Sequence, residues 1–102
     1  MFIRQGDLLI ERVDSIPKNL TAKKNTVLLE GETTGHFHKL EKAKVYEVSE
    51  SSEKYLLGYF EVEEEETALV HPEHNPIKFK KGIYRFYAQR EYDEQEERRV
   101  ID

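Results

Sequence analysis

A chain of 102 residues that is 37% hydrophobic and 36% charged has material for one small core beneath a heavily charged surface. Cysteine is absent, which excludes disulfides, thiolate catalysis and cysteine-based zinc sites. The formal net charge of -5 disfavours a general nucleic-acid binder, because such binding draws on Lys and Arg displacing counterions from phosphates. No apolar run approaches a transmembrane length, and residues 1–7 lack a basic region followed by an apolar one. The expectation is therefore a cytoplasmic protein with neither membrane span nor secretory signal. Six Tyr and five Phe argue for a packed core rather than disorder.

In chain order, residues 2–14 read as two extended runs, Phe2 to Gln5 and Leu8 to Val13, bent at Gly6-Asp7. Residues 15–25 read as a loop, and Thr26 to Glu30 as a compact strand ending at Gly31. Gly31 to Gly35 predicts a turn, with His36 to Leu40 as the strand leaving it. Ala43 to Val48 alternates as a strand, and Ser49 to Lys54 is a polar turn. Tyr55 to Val62 is aromatic and aliphatic throughout, with Gly58 as a bulge. Glu63 to Glu66 reads as a solvated, self-repelling turn. Thr67 to Val70 then leads into His71, and Asn75-Pro76 breaks the chain. Ile77 to Lys80 alternates, Lys81-Gly82 turns, and Ile83 to Arg90 forms a long alternating strand. The tail, Tyr92 to Asp102, is charged and fits either a short helix near Glu94 to Arg98 or a last strand, Arg99 to Ile101. Lys78, Lys80, Lys81, Arg85 and Arg90 read as part of a solvated face of mixed charge. The prediction is an all-β fold of about eight strands: one small domain over residues 1–102, a barrel or sandwich with a charged C-terminal tail.

All four histidines fall in two segments, His36-Phe37-His38 and His71-Pro72-Glu73-His74. Successive side chains in a strand point to opposite faces, so His36 and His38 share one face and Phe37 takes the other, where the core is expected. The second segment, with Pro inside, predicts a turn that lets His71 and His74 converge. Imidazole ligates zinc, iron and nickel, so His36, His38, His71 and His74 predict a site for one divalent ion. Glu73 and Glu32 fit a further ligand, an outer-shell partner or a general base on metal-bound water. Tyr84, Tyr87, Gln89 and Arg90 are expected to line a mouth above the site.

Two resemblances bear on this pattern. Gly31, His36, His38 and Glu41 resemble the first motif of the cupin superfamily, small β-barrels that hold a metal through His-x-His, a nearby Glu and a later His. Pro76 and Gly82 resemble the second motif. The spacing departs from that pattern, since both gaps in the first motif are short and no histidine follows Gly82. The second resemblance runs nearly end to end. Gln5-Gly6-Asp7, Gly31-Glu32-x-Thr34-Gly35-His36-x-His38, His71-x-Glu73-His74-x-Pro76-Ile77, Gly82-x-Tyr84 and Gln89-Arg90-Glu91-Tyr92 look like a family of short, uncharacterised bacterial and phage proteins. That likeness implies a shared small fold and no stated activity.

Three functions follow as expectations. The first is a metal-binding β-barrel, either closed structurally by four histidines or open at one position, which would permit a metal-dependent enzyme acting on a small molecule or nucleotide. The second is a metal-independent hydrolase or phosphodiesterase using histidine acid–base chemistry, with Arg90 or a Lys on a phosphate. The third is a binding or assembly module, including a homo-oligomer, with Tyr55, Tyr59 and Tyr92 in the contact. No phosphate loop, nucleophile elbow or dinucleotide fingerprint is present.

Overall fold

The computed structural model describes residues 2–31, 35–49 and 55–88, and every regular element among them is a strand. β1 (Phe2–Gln5) and β2 (Leu8–Val13) form a hairpin, and a two-residue β3 (Thr21–Ala22) follows. β4 (Val27–Glu30) pairs with β5 (Phe37–Leu40), and β6 (Lys44–Glu47) precedes two long strands, β7 (Leu56–His71) and β8 (His74–Ala88). All pairings are antiparallel and belong to one sheet, ordered β1-β2-β8-β7-β5-β4, which curls into a half-barrel. β7 is shared along its other edge: its first half pairs with β6, which carries β3, and its second half with β5. The expected tail and residues 50–54 of the expected polar turn lie outside the described residues. No helix among the described residues is long and apolar enough to cross a membrane.

Three expected breaks are absent, because one long hairpin absorbs them. Glu63 to Glu66 continues β7 instead of turning. Val62 pairs with Gly82 and Glu66 with Lys80, so four steps along β7 meet two along β8, and the acidic run is taken up as an enlarged bulge with two extra residues on β7. Glu is a poor strand former. Here lysines on both flanks offset the repulsion: Lys44 pairs with Glu63, Lys42 with Glu64, and Lys78 with Glu66. These pairs are exposed, so solvent and salt screen them and each adds little. Lys81-Gly82 likewise lies inside β8, where Gly82 leaves room for the Arg12 guanidinium to cross and donate to the Lys81 carbonyl at 3.1 Å. Asn75-Pro76 also stays within β8. Leu69 pairs with Ile77 and His71 with His74, so β8 carries one residue more there, and Pro76, with no N–H to donate, sits at that irregularity.

Alternation puts Leu8, Ile10, Leu40, Val62, Leu69, Phe79, Tyr84 and Phe86 on the concave face as one core around Phe60. Gly58 belongs to this packing. Added there, a Cβ would overlap the Tyr46 carbonyl oxygen, so the close approach of β6 to β7 requires glycine. The core face of β5 differs from expectation: His38 and Leu40 are buried, whereas Phe37 is half-buried on the opposite face. The half-barrel needs Leu40 inside, and a period of two brings His38 in with it.

Candidate metal centre

Three segments meet at one end of the half-barrel. The β1–β2 hairpin turns at Gly6-Asp7, where Gly6 takes φ of 62° while Asp7 does not have positive φ, as a type II′ turn requires. The β7–β8 hairpin turns at Pro72-Glu73 and is closed by the His71–His74 pair. The loop leaving β4 is drawn together by the Gly31 N–H, which donates to the His36 carbonyl at 2.7 Å and sets His36 beside the start of β5.

The four imidazoles converge there, around an open pocket of about 510 Å³. Ring centroids of His38 and His71 lie 4.4 Å apart, those of His71 and His74 4.6 Å, and those of His38 and His74 5.9 Å. Two imidazoles on one tetrahedral zinc, each nitrogen ~2.0–2.1 Å from the ion, place their centroids roughly 5 Å apart. The trio brackets that spacing. His36 flanks it, 6.0 Å from His71, and its Nδ1 lies 3.8 Å from a Glu73 carboxylate oxygen. Asp7 and Glu30 complete an acidic rim, and no Lys or Arg lines the pocket among the described residues.

Hydrogen bonds fix which nitrogen of each ring carries the proton. His38 Nδ1 lies 2.7 Å from Gln5 Oε1, whereas His71 Nδ1 accepts the Glu73 backbone N–H at 3.0 Å. In their neutral forms the bare nitrogen is therefore Nε2 on His38 and Nδ1 on His71. No three His, Asp or Glu among the described residues stand with donor atoms already grouped to hold a metal. The His71 bond to the turn is one physical reason: ligation through its Nε2 requires the ring to change tautomer and release Glu73.

Burial, followed by the nearby His71 and His74, pulls the His38 pKa down to about 4. Burial, then His74 and His36, also lowers His71, against an opposing pull from Glu73. Both rings are thus neutral at pH 7, the state a metal ligand needs. Since the folded pKa of His38 lies below its unfolded value of 6.5, the unfolded chain binds the extra proton between the two. The metal-free protein should hold this contribution in full above pH 6.5 and lose it as pH falls towards 4. After allowance for screening at the open mouth, the loss is about 2 kcal/mol. Urea denaturation in chelator at pH 7.5 and 5 measures it. A His38→Leu variant should show a flatter slope, and an unchanged slope would assign the effect elsewhere.

Of the residues expected to join the histidines, Glu73 is at the pocket and Glu32 lies outside the described residues, as do Gln89 and Arg90. Tyr84 and Tyr87 are not at the mouth. Tyr84 is buried in the core, stacked on Phe60 at 4.9 Å with its hydroxyl donating to the Lys80 carbonyl. Tyr87 faces the opposite side of β8, edge-on to Phe2 at 5.9 Å. Both fail for one reason: the mouth lies at the hairpin end of β8, and these residues lie towards its other end. Glu41 is exposed and does not line the pocket. Gln5 and Gly6 belong to a stretch that carries the family resemblance, but the sequence alone does not assign them to the site. Gln5 is 3% exposed and bonded into the site, and a Cβ on Gly6 would stand 2.7 Å from His74 Nε2. The one local signal for Gln5 was its alternation with Ile3, which packs against the core.

Fold and site together define a small all-β domain with a histidine-lined, acid-rimmed pocket. The chain belongs to a family described as a domain of unknown function (DUF8820), whose sequence model matches residues 4–89. No curated protein and no solved structure matches the chain.

Proposed function

We propose that the protein binds one divalent transition-metal ion, of the zinc, nickel or iron class, through His38, His71 and His74, with His36 as fourth ligand or flanking base partner. The observation that carries this reading is the convergence of all four histidines, from two distant segments, on one pocket with an acidic rim. Imidazole donors without thiolate suit these ions, and the carboxylates of Asp7, Glu30 and Glu73 favour a cation there. Such an ion would supply a Lewis acid for a water or small molecule, and Glu73 at the rim would be one carboxylate placed to act as base. Metal-independent acid–base chemistry has less support. Burial and the neighbouring histidines hold His38 and His71 neutral, which disfavours these two as general acids at neutral pH.

Elemental analysis of untagged protein tests the proposal, followed by calorimetric titration of chelator-treated protein with Zn²⁺, Ni²⁺ and Fe²⁺. Near-stoichiometric metal is expected. No binding of any of the three would overturn it.

A further inference from the structure

Resting on that metal reading, we infer that Gln5 is the positioning residue of the site: its amide holds His38 with the proton on Nδ1 and so leaves Nε2 to coordinate. The orientation of the amide follows from its surroundings. Gln5 Nε2 lies 3.1 Å from the Leu69 carbonyl and 2.9 Å from the Asn75 carbonyl. Both partners are acceptors, so the atom facing them is the NH₂ group and the atom facing His38, at 2.7 Å, is the carbonyl oxygen. That oxygen can only accept. His38 Nδ1 must therefore carry the proton, and a neutral ring with one proton has Nε2 bare.

The contact is buried at both ends, with Gln5 3% and His38 5% exposed, so water does not compete for it. It also spans the fold. Gln5 is on β1, His38 on β5, and the two carbonyls belong to the β7–β8 hairpin that bears His71 and His74. One amide thus orients a ligand and ties its ring to the hairpin carrying two others. Outer-shell partners of this kind fix the tautomer and orientation of a ligating histidine.

Two variants separate positioning from packing. Gln5→Leu and Gln5→Glu both lose the donation to the carbonyls of Leu69 and Asn75. Only Gln5→Glu keeps an oxygen to accept the His38 Nδ1 proton. Ring ¹⁵N shifts of His38, recorded on metal-free protein at pH 7.5, report the tautomer directly, and Zn²⁺ titration reports affinity. The wild type and Gln5→Glu are expected to show the Nδ1–H form, and Gln5→Leu a shift towards Nε2–H. Zn²⁺ affinity should fall about 10- to 100-fold in Gln5→Leu and stay within a few-fold of wild type in Gln5→Glu. A wild-type His38 in the Nε2–H form overturns the inference, as do two variants that weaken Zn²⁺ equally. If wild type binds no Zn²⁺, the metal reading fails by itself, and the ¹⁵N tautomers still support or overturn the role of Gln5 on His38.

Discussion

Replacing His36 and His38 together by Ala should abolish stoichiometric metal, with the affinity of any residual binding down by at least about 100-fold, more than outer-shell changes cause. The pair is chosen because His38 is the buried member of the ligand trio and His36 the flanking imidazole most able to substitute for it. What remains is His71 and His74 on one turn, with His71 Nδ1 engaged by the Glu73 N–H. Two imidazoles of a hairpin do not complete a tetrahedral site. The double change also strands Gln5 Oε1 in a buried position, at a cost of about 1–3 kcal/mol. Circular dichroism and a urea midpoint must therefore show that the variant is folded. The single His36→Ala variant, which removes a half-buried ring and leaves the His38–Gln5 bond in place, separates the contribution of His36 from that of His38. Retention of near-stoichiometric metal by the folded double variant would remove the four-histidine assignment.

The largest effect on stability is expected at Phe60. Its ring is fully buried, stacked on Tyr84 at 4.9 Å, edge-on to Phe79 at 5.6 Å and 6.1 Å from Phe86. It thus joins the first half of β7 to both halves of β8. Phe60→Ala should cost about 3–5 kcal/mol, from lost transfer free energy plus the cavity left behind. Small domains are stable by about 5–15 kcal/mol, so the variant should lose a large fraction of its stability. At this size the melting temperature should drop by roughly 15–25 °C. Phe37 makes the comparison informative. If the concave face is the core, Phe37→Ala should cost far less, on the order of 1 kcal/mol, because that ring is half-buried on the other face. Equal losses in thermal melts of the two variants would contradict the burial pattern of β5.

The metal proposal and the core are linked through β5. Leu40 fills the core while His38, two residues earlier on the same face, reaches the pocket, yet β5 pairs with β7 through only Lys39↔Val70 and Leu40↔Leu69. A metal shared by His38 and the β7–β8 hairpin would brace this short ladder. Stabilisation of the fold by added metal is accordingly part of the same expectation, by mass action on the native state.

The strands and the meeting of His71 with His74 were legible in the sequence because both are local. Alternation with a period of two marks Tyr84, Phe86 and Ala88 as one face, and Gly6-Asp7 and Pro72-Glu73 carry turn chemistry in adjacent residues. His-x-His likewise brings two imidazoles to one pocket from adjacent positions, although His36 precedes β5 and lies outside the strand. Which side faces the core was not local: Leu40 decides it, by what it packs against. The acidic run shows the same limit, since the lysines that flank it, Lys42, Lys44 and Lys78, are brought there only by register. Tyr84 and Tyr87 stand away from the histidines because their distance is set by the length of an unbroken β8. Gln5 is the clearest case. Nothing within a few residues of it announces a ligand partner; its three hydrogen bonds reach residues 33, 64 and 70 positions away. Short-range chemistry is written in neighbouring residues, whereas the environment of a buried polar group exists only once a curled sheet has joined its distant strands.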